Sequence, residues 1–117
     1  MTKDELIRRT KEFAVRIVKL VNALPETTAG RAIGSQLIRS GTSVAANYRA
    51  ACRGRSKAEF IAKLGTVEEE ADESAFWLEM IIDCKLMKEN LVSGLLREAN
   101  EITAIMASSK ITARSRK

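Results

Sequence analysis

The chain has 117 residues, enough for one domain that buries roughly two thirds of the surface its unfolded form exposes. It holds one proline, no histidine and two cysteines without C-x-x-C spacing, which excludes the usual zinc constellations and the Glu-x-x-His pairs of di-iron bundles. The net charge of +5 is uneven: residues 1–57 carry twelve Lys/Arg against four Asp/Glu, residues 58–117 eight against eleven, or +8 and −3. Such a split implies either halves that attract one another or a basic face open to an acidic partner such as nucleic acid.

The N-terminus lacks a signal-like apolar segment, and no apolar run approaches the roughly 20 residues needed to span a bilayer, so a cytoplasmic protein without a membrane partner is expected. Cys52 and Cys84 read as reduced, buried thiols.

Thr2-Lys-Asp-Glu5 has the form of a capping box and predicts the first helix start. Leu6, Thr10, Phe13, Ile17, Leu20 and Leu24 then recur at three-and-four spacing, giving one apolar stripe that Pro25 closes. A short loop leads to a second helix from about Thr28. On it Ile33, Leu37, Val44, Tyr48 and Ala51 share one face, and Arg31, Arg39, Arg49 and Arg53 the other. Gly41 and Thr42 are poor helix residues, so a break would fall there; the two faces nevertheless keep phase across them, which favours one continuous helix.

Gly54 and Arg55 form a turn, and Ser56-Lys-Ala-Glu59 is a second capping box. The third helix carries Phe60, Leu64, Val67, Ala71, Ser74, Leu78 and Ile81 on its seam. Phe76 and Met80 project to the opposite side and Trp77 to the flank, which predicts a subunit interface. After Lys88-Glu-Asn90, the fourth helix places Val92, Leu95, Ala99, Ile102 and Met106 on one stripe. The pattern predicts an all-α, up-down-up-down antiparallel four-helix bundle over residues 1–109, followed by a disordered basic tail at 110–117.

Ser43-Val-Ala-Ala-Asn47, Arg53-Gly-Arg-Ser-Lys-Ala-Glu-Phe60 and Trp77-Leu-Glu79 resemble the bacterial 23S rRNA intervening-sequence protein family. Many members have Asn-Ile-Ala-Glu-Gly where this chain has Asn47-Tyr-Arg-Ala-Ala51, so the motif's glutamate is absent at Ala50. The resemblance implies a four-helix bundle that assembles as a homopentameric ring of largely uncharacterised function. A related member, the accessory protein of diversity-generating retroelements, uses a basic pentameric barrel to bind a reverse transcriptase and nucleic acid.

Two readings of the basic face stay open. Arg31, Arg39, Arg49 and Arg53, with Arg55 and Lys57 at the turn, can line up for the phosphates of RNA or DNA; alternatively they pair with the acidic run Glu68–Glu73 and serve assembly. Ser43, Asn47, Ser56, Glu59 and Phe60 of the motif read as structural, through capping and buried hydrogen bonds. The rival reading is a Mg²⁺-dependent nucleotide pyrophosphohydrolase, because Glu69-Glu70-x-x-Glu73 matches the EExxE pattern of the all-α members of that class. No E-x-x-D follows: Glu79 and Asp83 have the wrong spacing, and Glu98 and Glu101 the wrong second residue. A non-enzymatic binding module without cofactor or metal is the expectation.

Overall fold

A computed structural model describes residues 1–116. Among them are four helices, α1 (Lys3–Asn22), α2 (Thr28–Cys52), α3 (Lys57–Asp83) and α4 (Glu89–Ser115). The loops of four or five residues force each helix to return beside its predecessor, giving an up-down-up-down bundle 50 Å long and about 20 Å across. No helix among the described residues is long and apolar enough to cross a membrane.

Local chemistry explains the boundaries. Thr2 Oγ1 accepts the Glu5 N–H at 3.1 Å, Thr27 Oγ1 accepts that of Gly30 at 3.0 Å, and Ser56 Oγ accepts that of Glu59 at 3.1 Å. Each removes one of the orphan donors at a helix start, worth about 1 kcal/mol. At the end of α3, Lys85 takes a left-handed conformation (φ 56°), and the N–H groups of Lys85 and Leu86 donate to Ile82 and Ile81. This is a Schellman closure with lysine where glycine is usual.

The apolar stripes meet along the bundle axis. Phe13, Ile17, Leu37, Leu64, Leu78 and Ile102 are among the fully enclosed side chains, each worth roughly 1.5–3 kcal/mol on burial. Packing around the bundle is uneven. α2 and α3 pack extensively on their chain neighbours, whereas α1 meets α4 over a narrow seam held at one end by Arg9, which donates to Glu98 at 2.7 Å through both Nε and Nη2 and reaches Glu101 at 3.1 Å.

As the phase of its two faces favours, α2 runs unbroken through Gly41 and Thr42. Gly41 is buried, and a Cβ at this position would stand 2.8 Å from Ile17 Cγ2 and 2.9 Å from Cγ1, so its missing side chain lets α1 and α2 touch. One residue earlier, Ser40 faces α3, where its buried hydroxyl accepts that of Ser74 at 2.9 Å. The expected disordered tail at 110–117 does change: α4 continues to Ser115, and only Lys117 lies outside the described residues. Lys110 pairs with Glu68 at 2.6 Å, and Lys57 Nζ donates to the backbone carbonyls of Arg114 and Arg116, so α3 anchors the final turns.

Gly41→Ala should therefore lower stability by about 1–2 kcal/mol, because overpacking against an enclosed isoleucine outweighs the gain in helix propensity. At Gly65, where an added Cβ meets nothing within 4 Å, the same change should raise stability by about 0.5–1 kcal/mol. Urea midpoints of the two variants check the opposite signs.

Candidate nucleic-acid and subunit interfaces

The six basic residues singled out on α2 and its turn do not form one line. Arg31 Nη1 donates to the Glu26 carbonyl at 2.8 Å and ties down the first loop. Arg39 leans toward α3, donating to Glu70 Oε2 at 2.9 Å and pairing with Glu73. Lys57 holds the end of α4. Arg49 and Arg53 lean the other way, toward α1, and among the described residues neither makes a salt bridge. Arg55 is exposed at the turn, where its backbone N–H donates to Glu59 Oε2 at 2.6 Å.

Between α1 and α2 lies a groove of about 720 Å³ whose floor is Ile7, Ala45, Ala46 and Cys52. Lys3 and Lys11 of α1, Arg49 of α2 and Arg53 at the C-terminal cap of α2 surround it, with Asp4 as the one carboxylate in its lining. None of the four cations is in a salt bridge among the described residues; the Lys3 ammonium sits 4.6 Å from the centre of the Phe60 ring. Next to it a smaller depression holds Arg53, Arg55 and Lys63 with Glu59. The groove lies at the end of the bundle where the α2–α3 turn and the C-terminal end of α4, with Arg114 and Arg116, also come together. Lys3, Lys11 and Lys63 escape the sequence reading because they sit on different helices. Lys3, Ile7 and Lys11 do recur at i, i+4, i+8, but only the α1–α2 pairing shows that this flank faces α2.

The motif residues have local roles. Asn47 Nδ2 donates to the Ser43 carbonyl at 2.9 Å and to Ser43 Oγ at 2.8 Å, both within α2. Tyr48 beside them is buried; burial, and then the neighbouring Cys52, pushes the phenol well above its usual range. Cys52 is half-buried in the groove, whereas Cys84 is exposed in the α3–α4 loop, which corrects the expectation of two buried thiols: the loop turns outward past the end of the core.

On α3 the predicted interface residues separate. Phe76 is 51% exposed. Trp77 and Met80 are half-buried and pack against the core's edge, and Trp77 meets Phe76 edge to face at 4.9 Å. Trp77 Nε1 donates to Glu73 Oε2 at 3.1 Å. Burial opposes ionisation of Glu73, but the hydrogen bonds from Arg39 and Trp77 prevail and hold its carboxyl below the usual glutamate range. Arg39 therefore occupies two of the three carboxylates of the EExxE pattern, Glu70 and Glu73, leaving Glu69 apart on the outer face. Among the described residues no three His, Cys, Asp or Glu side chains converge in a way that could hold a metal ion.

The comparisons with known proteins agree with this architecture. Residues 2–108 match the family model described as 23S rRNA-intervening sequence protein. The chain belongs to that family. A protein of unknown function from the S23 ribosomal protein family of Bacteroides thetaiotaomicron, solved by crystallography at 1.70 Å, is 33% identical. It superposes with a TM-score of 0.87 over 94% of this chain and 98% of its own. No curated protein matches. In this member of the 23S rRNA intervening-sequence family, Ser43, Asn47 and the box at Ser56 and Glu59 serve helix geometry, and the free cations gather beside them.

The Arg39–Glu73–Trp77 contact predicts an acid response. A carboxyl lowered by folding contributes stability above its unfolded pKa, and that contribution is lost as pH falls through the folded value. Emission from Trp77, the chain's only tryptophan, should shift with a midpoint below the ordinary glutamate pKa, and Glu73→Gln should abolish that transition.

Proposed function

We propose that this protein is a non-enzymatic, homo-oligomeric scaffold, a ring of five as the family resemblance implies, that engages the phosphates of RNA or DNA through the α1–α2 groove. One observation carries the reading: Lys3, Lys11, Arg49 and Arg53 converge on one concave surface without an ion pair among the described residues, against the single carboxylate Asp4. Uncompensated cations around a groove suit a repeating phosphate charge and gain affinity by releasing counterions. The apolar floor can receive a sugar or a base edge. No exposed aromatic lines the groove, since Tyr48 is buried and Phe60 lies beneath Lys3, so binding rests on the backbone more than on base stacking.

A nucleic-acid enzyme bound to the same polymer, such as a reverse transcriptase, fits this reading as a further partner. The hydrolase alternative has less support, because the carboxylates it needs already neutralise Arg39. A screen of nucleoside triphosphates with Mg²⁺ or Mn²⁺ should give no turnover.

The binding measurement is affinity for single- and double-stranded RNA and DNA as a function of salt. Three or four phosphate contacts per copy predict a log–log slope of about −3. Arg49→Glu with Arg53→Glu should weaken binding roughly 10- to 100-fold and flatten the slope by about two. A flat salt dependence, or unchanged affinity in the double variant, removes the phosphate contact. Light scattering should give a mass several times that of the 12.9 kDa chain.

A further inference from the structure

We propose that copies of this chain join through the outer face of α3 on one copy and the outer face of α1 on the next, with Phe76 seated against Val15. The proposal rests on the homo-oligomeric reading above and specifies the contact that builds it.

The α3 surface is a ridge with one large exposed apolar side chain, Phe76. At 100° per residue, Glu69, Asp72, Glu73, Glu79 and Asp83 lie within about 60° of Phe76, and no basic residue of α3 shares that sector. Glu73, at the edge beside α2, pairs with Arg39; the other four are exposed, and among the described residues none of those four is in a salt bridge. An exposed aromatic ringed by unpaired charge of a single sign is unfavourable on a free surface, both for solvation of the ring and for repulsion along the helix.

α1 carries the complement. Val15, 46% exposed, lies in a shallow depression of about 500 Å³ walled by Arg8, Lys11, Glu12, Arg16 and Lys19. Four cations face one acid there, and Glu12 stands four residues from both Arg8 and Arg16, which bracket it on the same helix. Asp4, on the same face, lies towards the N-terminus, beyond this patch.

Register strengthens the match. α1 and α3 run in the same direction, because they are the first and third helices of an up-down-up-down bundle. Rotation of copies about an axis along the bundle keeps them parallel. With Val15 opposite Phe76, Arg8 and Glu69 both lie seven residues before the centre, Lys11 and Asp72 both four before, and Lys19 four after against Glu79 three after. At 1.5 Å rise per residue each pair falls at the same height to within about 2 Å. The two faces belong to diagonally placed helices, so the contact is head-to-tail and can propagate from copy to copy, as a ring requires. It takes up Lys11, which borders both surfaces, and leaves Lys3, Arg49 and Arg53 of the groove uncovered.

The test is the mass of the full chain by light scattering across a dilution series, with helicity checked by circular dichroism. Glu69→Lys with Glu79→Lys, and separately Arg8→Glu with Lys19→Glu, should each weaken association roughly 100-fold or more, since like charges then face one another. The variant carrying all four changes should reassemble, because the complementarity is restored with its sign reversed. Phe76→Ser, at an exposed site, supplies a second uncharged probe and should also shift the chain toward the monomer. A monomeric wild type overturns the oligomeric reading and this contact with it. A wild-type oligomer that survives either double reversal or Phe76→Ser, or a fourfold variant that stays folded and monomeric, keeps the oligomeric reading and overturns this contact alone.

Discussion

The bundle depends on how closely α2 can approach its two neighbours at residues 40 and 41. Gly41 admits Ile17 of α1 where a side chain would collide, and Ser40 meets Ser74 of α3 through a buried hydroxyl pair. One turn of helix thus sets both interhelical distances. The apolar contact on one side allows no added volume, and the hydrogen bond on the other fixes a particular alignment of α2 on α3. The α1–α4 seam has no such device, and a surface ion cluster at Arg9 secures it instead.

Charge is organised by that geometry. Among the described residues of one copy, only Arg39 crosses from the basic half to the acidic run of α3, and it takes up Glu70 and Glu73 together. What is left over on each side is spatially sorted: cations in the α1–α2 groove and on α1, carboxylates along the outer ridge of α3. The arginines therefore divide between two flanks. Arg39 meets carboxylates, while Arg49 and Arg53 make no salt bridge among the described residues.

Helix starts were legible because Thr2, Ser56 and Glu59 act through atoms within three or four residues of one another. The core was legible for a related reason, since burial follows a period of 3.6 residues. Gly41 shows where such reasoning stops: its low propensity argues for a break, but its role is set by Ile17, twenty-four residues away in sequence. Arg39 and Arg49 look alike on a helical wheel, and only the placement of α1 and α3 sends them to opposite flanks. The run from Lys110 reads as a solvated tail because Glu68 and Lys57, which hold it, come from another helix.

The two thiols occupy places that differ in a useful way. Cys52 forms part of the groove floor, and Cys84 stands in the loop at the opposite pole of a 50 Å body. A ligand filling the groove shields the first from an alkylating reagent and leaves the second untouched. The ratio of modification at the two positions is thus an internally referenced gauge of groove occupancy in the native chain, free of engineered labels.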